Sequence, residues 1–293
     1  MADKVKRLFL ARPLGFCGGV RRALELFEKT ADQNPGKPIY VLHELVHNRT
    51  VTEDMRRRNA RFVERLEEIP DGAVTVFGAH GIGASLEQEA RRRGLRYCDA
   101  VCPLVAQLQN VAASADADLP LILFGDGKHP EVRSVLDRAA AWSIFVIASV
   151  DEVETLPPMQ SALLLCQTTR NFQEVKAVAA LLRERIPGLQ DLSKVCDAVS
   201  RRQRAMEQLS PKCDLVLVVG SPHSSNGRRL LAIAQQHCSR ALLVENADAL
   251  DENMLEDVFN VGMGAATSTP DYAINSVIDK LQKNGFQIAS EDF

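Results

Sequence analysis

Leu215-Val-Leu-Val-Val-Gly220-Ser-Pro-His223-Ser-Ser-Asn226-Gly227 is the stretch that decides the fold. Five consecutive aliphatic residues read as a strand buried on both faces, the kind found in parallel sheets covered by helices. Glycine and proline end the run, and the serines and asparagine that follow open a helix. Val74-Thr-Val-Phe-Gly-Ala-His80-Gly81 and Leu121-Ile-Leu-Phe-Gly-Asp-Gly-Lys-His129 repeat the order strand, glycine, histidine. Three such passages predict three related α/β lobes with mostly parallel sheets, at 1–102, 103–196 and 197–293.

The rest of the chain fits that alternation. Apolar runs predict further strands over Arg7–Ala11, Ile39–Leu42, Ile144–Ala148, Ala162–Cys166, Ala241–Val244 and Asn260–Met263. Between the strands lie helical patterns, such as Phe172, Val175, Ala179, Leu182 and Ile186, which form one buried stripe. Others cover Val20–Asp32, Thr50–Asn59, Ser85–Arg93, Leu104–Ala113, Arg201–Leu209, Arg228–Gln236 and Asp271–Asn284. Strands and helices in turn are the mark of βαβ units.

Composition narrows the partners. The 293 residues carry a net charge of −3, so no basic field invites nucleic acid or an anionic membrane. The first residues lack the apolar core of a signal peptide, and no run approaches the ~18 apolar residues of a membrane span. Seven cysteines, an odd number, point to reduced thiols in the cytoplasm and away from a disulfide framework.

Three of those cysteines stand in turn-like surroundings, about one in each third of the chain: Gly15-Phe-Cys17-Gly-Gly, Asp99-Ala-Val-Cys102-Pro and Val195-Cys196-Asp-Ala. Thiolates brought together from three lobes can hold an iron–sulfur cluster and leave one iron without a protein ligand. Spacing alone leaves ligation open against small buried hydrophobes, because no Cys-x-x-Cys pair is present. Cys98, Cys166, Cys213 and Cys238 read as core residues.

The loops at strand ends add a second chemistry. Ser224, Ser225 and Asn226 open one helix, and Ser268-Thr269-Pro270-Asp271 opens another, with Thr269 as the expected cap and Pro270 in the first turn. Hydroxyls and unpaired N–H groups at helix starts form anion sites. Together with His47 and His80 they predict a pocket for phosphate or diphosphate, although each loop alone is equally read as a helix cap. His129-Pro-Glu131 places a carboxyl beside a histidine just past a strand. Glu131 is a general acid if burial raises its pKa, and otherwise a solvated carboxylate at a helix start.

These segments together resemble the IspH/LytB family of hydroxymethylbutenyl diphosphate reductases. The resemblance runs over nearly the whole chain through Pro13–Val20, His43-Glu-Leu-Val-His47-Asn-Arg49, Ala79–Gly81, Asp99–Val105, His129–Val132, Gln167-Thr168-Thr169, Cys196, Gly220–Asn226 and Ser268–Asp271. It implies three lobes around a central four-iron, four-sulfur cluster with an open fourth iron, ligated by Cys17, Cys102 and Cys196. It implies conversion of 4-hydroxy-3-methylbut-2-enyl diphosphate to isopentenyl and dimethylallyl diphosphate, in the methylerythritol phosphate route to isoprenoids, using two electrons and two protons and releasing water. Substrate would be bound by His47, His80, His129, Thr168, Ser224, Ser225, Asn226 and Ser268, with Glu131, His129 and Thr168 at its hydroxyl end. Ferredoxin or flavodoxin would bring the electrons.

The chain departs from the family pattern at Val101, at Val199 to Arg202, and at Ser134, where glycine is frequent. These changes leave open a paralogue that performs the same dehydroxylation on another substrate. A non-catalytic iron–sulfur sensor is a further alternative. The dinucleotide-binding reading of Gly15-Phe-Cys-Gly-Gly lacks the full glycine pattern and a ribose-binding acid.

Overall fold

The structure, a computed structural model, describes residues 5–293. Along the chain run β1 (Arg7–Leu10), α1 (Gly18–Gln33), β2 (Ile39–Leu42), α2 (Arg49–Arg57), β3 (Ala60–Val63), β4 (Val74–Phe77), α3 (Ala84–Arg92), β5 (Arg96–Asp99) and α4 (Pro103–Ser114). They continue with β6 (Leu121–Phe124), α5 (Pro130–Leu136), β7 (Ile144–Ile147), β8 (Ser161–Cys166), α6 (Phe172–Arg185) and β9 (Gly188–Asp191). The last third holds α7 (Asp197–Leu209), β10 (Leu215–Val219), α8 (Ser225–His237), β11 (Ala241–Val244), β12 (Asn260–Ala265), α9 (Asp271–Lys283) and β13 (Gln287–Asp292).

The chain divides into two units. The first contains residues up to Cys17, His47–Val51 and Asp197–Phe293. Its sheet has the order β11-β10-β12-β1-β13, with all of these neighbours parallel. Strand β1 therefore belongs to the sheet of the last third, where Leu8 pairs with Val261. Successive residues of β10 serve opposite faces, as the pleat requires. Leu215, Leu217 and Val219 pack with Met263, Ile274, Val277 and Leu281, which brings α9 onto one side. Val216 and Val218 pack with Met206, Leu209, Leu230 and Ile233, which brings α7 and α8 onto the other.

The second unit, Gly18–Val46 and Thr52–Cys196, holds two four-stranded parallel sheets, β3-β2-β4-β5 and β7-β6-β8-β9. Helix α6 covers one face of the latter through Val175, Val178, Ala179 and Leu182 against Ile122, Phe124 and Leu164. Helices α4 and α5 cover the other through Leu108, Ala112, Val132 and Val135 against Leu121, Leu123 and Leu163. Each fully buried leucine or valine contributes about 1.5–3 kcal/mol of burial, so this double covering fixes α4 and α5 firmly. Both helices carry candidate site residues. Among the described residues no helix is long and apolar enough to cross a membrane.

Nine central and edge strands lie where the apolar runs place them, within two residues at either end. Strands β3, β5, β9 and β13 and the seven-residue α5 were not legible from those runs.

Candidate active site

Every candidate ligand, substrate-binding and catalytic residue lies in a loop or helix start that follows the carboxyl end of a parallel strand. Cys17 follows β1, His47 follows β2, His80 follows β4 and Cys102 follows β5. His129 and Glu131 follow β6, Thr168 follows β8, Cys196 follows β9, the serines and Asn226 follow β10, and Ser268 follows β12. Open parallel sheets collect ligands at that end, where strands stop and helix N-termini begin.

In the second unit the chemistry centres on Glu131. It stands in the first turn of α5 yet is 1% exposed, so the solvated alternative does not hold. The backbone N–H of Thr168 donates to its Oε1 at 2.6 Å and the Thr168 hydroxyl to its Oε2 at 3.0 Å. Burial pushes the carboxyl up to about 7, against the opposing pull of the two Thr168 hydrogen bonds. The group is thereby poised to hold a proton near neutrality and to give it up.

His129 caps the same helix, with its Nδ1 accepting from the Glu131 N–H at 3.2 Å. A backbone amide can only donate, so Nδ1 is unprotonated and the ring proton sits on Nε2 as a donor. The His80 ring meets that of His129 edge to face, with centroids 5.2 Å apart. Thr168 also receives Cys196: its carbonyl accepts the Cys196 N–H at 2.9 Å. A cavity of about 280 Å³ runs beside Thr168, with Leu104, Leu108, Leu165, Leu192 and Lys194 in its wall.

The three candidate thiols share a position that their flanking sequences did not show. Cys17 directly precedes α1, Cys102 is the N-cap of α4, and Cys196 directly precedes α7. All three are unbridged and half-buried. Burial pushes the Cys166 and Cys213 thiols up to about 12, in keeping with the core positions read for them. Cys17 lies in the first unit and Cys102 and Cys196 in the second, and each is a sulfur donor of the kind that iron accepts.

In the first unit, Ser224 caps α8 by accepting the Gly227 N–H at 3.1 Å, so its hydroxyl has a structural duty. Asn226 in the next turn is different. It is 2% exposed, and neither its amide nitrogen nor its oxygen has a hydrogen-bond partner. Orphaned buried amides are costly and rare. Ser268 donates to the His47 carbonyl at 3.3 Å, which ties His47 to the loop after β12. The expected cap at Thr269 is not found: its hydroxyl donates to the Val219 carbonyl at 2.8 Å, and α9 starts at Asp271 after a non-capping Pro270.

Gly15 takes φ +75° in the loop before Cys17, and a side chain there would collide with the Asp271 carboxylate. The same loop is held by Arg202, which donates to the Gly15 carbonyl at 2.6 Å and to the Ala198 carbonyl at 2.8 Å. Arg202 thus anchors the Cys17 loop to α7, a role its sequence context did not suggest. The sequence did not suggest Gln109 and marked Ser134 only as a departure from the family pattern; both are buried beside the His80 turn.

A carboxylic acid sealed beneath the carboxyl ends of a parallel sheet serves no packing purpose that an apolar side chain would not serve better. Such acids cluster at the functional sites of α/β enzymes. The family model described as LytB protein matches residues 8–282, and the chain belongs to that family. Relatives named 4-hydroxy-3-methylbut-2-enyl diphosphate reductase are 38% identical in Xanthomonas axonopodis pv. citri and 39% in Acinetobacter baumannii, each alignment covering 97% of this chain and 92% of the relative. The solved E-1-hydroxy-2-methyl-but-2-enyl-4-diphosphate reductase of Plasmodium falciparum superposes with a TM-score of 0.90 at 30% identity, covering 99% of this chain and 94% of that one. A solved (E)-4-hydroxy-3-methyl-but-2-enyl diphosphate reductase gives a TM-score of 0.68 at 26% identity, covering 95% and 100%.

Proposed function

We propose that this protein is a reductive dehydroxylase that converts 4-hydroxy-3-methylbut-2-enyl diphosphate to isopentenyl and dimethylallyl diphosphate. The observation that carries the reading is the buried Glu131 carboxyl gripped by Thr168. Two electrons and two protons enter, the allylic carbon–oxygen bond breaks, and the oxygen leaves as water. Cys17, Cys102 and Cys196 would hold a four-iron, four-sulfur cluster, which would supply single electrons and a Lewis acid when bound.

The chain's own residues do the rest. Glu131 carries the proton that turns the departing hydroxyl into water, and Thr168 orients it. The Nε2–H of His129 donates to the hydroxyl end of the substrate. Asn226, Ser225, Ser224, Ser268, His47 and His80 take the diphosphate, and that remote binding energy becomes orientation at the reacting carbon. A small carrier such as ferredoxin or flavodoxin brings the electrons. Unbridged thiols suit the reducing cytoplasm.

The test is turnover by anaerobically reconstituted protein given 4-hydroxy-3-methylbut-2-enyl diphosphate and a reduced carrier. Isopentenyl and dimethylallyl diphosphate are the expected products. A fully loaded protein that forms neither refutes the substrate assignment.

A further inference from the structure

The side chain of Ser134 sits where three functional elements meet. Its hydroxyl lies 2.8 Å from the carbonyl of Glu131, one turn earlier in α5, and 3.1 Å from the carbonyl of His80. It accepts a hydrogen bond from Gln109 Nε2 at 2.9 Å, and that same nitrogen reaches the Ile82 carbonyl at 3.3 Å. Gln109 belongs to α4, the helix that Cys102 caps. Ser134 and Gln109 are 4% and 6% exposed, so water does not compete for these bonds.

The turn they hold is also tied at its far end, where Arg138 Nε donates to the Ile82 carbonyl at 2.9 Å and Ser85 donates to Asp137 through its N–H at 2.8 Å and its hydroxyl at 2.6 Å. Gly81 bends it at φ +73°, and a Cβ there would lie 2.4 Å from Gln109 Nε2 and 2.9 Å from Val101 Cγ2. Gln109 therefore fills the space under the glycine and donates to the carbonyl on its far side, while the single Ser134 hydroxyl proton is shared between the Glu131 carbonyl and the His80 carbonyl before the glycine. Helix α5 has seven residues, too few to hold its own place without tertiary contacts. Through this pair the proton-bearing Glu131, the His80 ring and the start of α4 are referred to one point.

We propose that Ser134 and Gln109 are positioning residues, which set the His80 turn and Glu131 in register with each other without touching substrate. The inference rests on the function proposed above, since it assigns these residues a part in that reaction. A misplacement of an ångström at a site of this kind costs on the order of 100-fold in rate.

The experiment compares Ser134→Ala, Gln109→Leu and Ser134→Thr with the unaltered holoenzyme in three measurements: iron content, hydrogen–deuterium exchange of the peptide spanning residues 78–85, and steady-state kinetics. For Ser134→Ala and Gln109→Leu, exchange in that peptide should rise about tenfold and kcat should fall about tenfold or more, with iron content kept. Exchange in β10 and β12 should be unchanged. Ser134→Thr retains the hydroxyl and should recover most of kcat. Unchanged exchange in residues 78–85, kinetics within twofold of the unaltered enzyme, or a loss of iron that accounts for the loss of rate overturns the assignment. If the unaltered enzyme makes no isoprenoid diphosphate, the substrate reading fails, and exchange in the two variants still decides whether the pair holds the turn.

Discussion

Thr168 grips both carboxylate oxygens of Glu131, one with its backbone N–H and one with its hydroxyl, across a sequence separation of 37 residues. The pairing explains why a carboxyl can sit fully buried at the head of a short helix. Each hydrogen bond favours the ionised form, while burial favours the protonated one, and burial wins. The balance lands near neutrality, where a general acid is most effective.

Thr168→Val removes one of those two bonds and leaves the burial. The carboxylate loses a donor worth about 1.5–3 kcal/mol, so its pKa should rise by about one to two pH units. A general acid works while protonated. The alkaline fall of kcat should therefore move to higher pH in Thr168→Val and stay in place in Thr168→Ser. A pH–rate profile between pH 5 and 10 reads this directly.

Glu131→Gln keeps the shape and removes the proton. Turnover should drop about 10²- to 10⁴-fold with iron content unchanged. A non-catalytic sensor would lose nothing measurable by this change, so the variant also separates the two classes.

The same carboxyl makes folding pH-dependent. Its folded-state pKa of about 7 lies above the unfolded value of 4.5, so the folded state holds more protons between those limits. Its contribution to stability is fully present below pH 4.5 and is lost as pH rises through 7, a loss on the order of 3 kcal/mol. Glu131→Gln should consequently unfold at higher urea than the unaltered protein at pH 8, and that advantage should vanish near pH 4.

Asn226 offers a test in the first unit. Its amide is buried and unpartnered, so it burdens the ligand-free protein. Asn226→Ala should leave the melting temperature equal or raised, and should weaken binding of inorganic diphosphate about tenfold or more. Titration calorimetry and a thermal melt on the same preparations measure both.

How much of this could be read from the chain follows from where each element lies. Central strands such as β10 and β6 are buried on both faces and appear as unbroken apolar runs. The overlooked β3, β5, β9 and β13 are all sheet edges, and charged or polar residues such as Arg61, Arg96 and Gln190 interrupt them. Helix α5 is shorter than two helical repeats, so only Pro130 marked it. In the site, residue types were legible because histidine is scarce, at six in the chain, and falls near strand ends beside glycines and the turn-placed cysteines. Burial was not legible. Glu131 looks like any acid favoured at a helix start until Thr168 arrives from the next strand but one; Gln109 looks like an ordinary helix residue, and Ser134 and Arg202 stand out only as departures from the family pattern, with nothing to show what they bind.

Metal content tests most directly whether Cys17, Cys102 and Cys196 share one centre. Anaerobically reconstituted protein should carry about four iron and four sulfide per chain, with an electron paramagnetic resonance signal that changes on adding the diphosphate substrate. Serine at any of the three positions should abolish most of that iron, while Cys166→Ala or Cys238→Ala should keep it. Full iron loading after replacement of Cys17, Cys102 or Cys196, or a signal indifferent to substrate, contradicts the assignment.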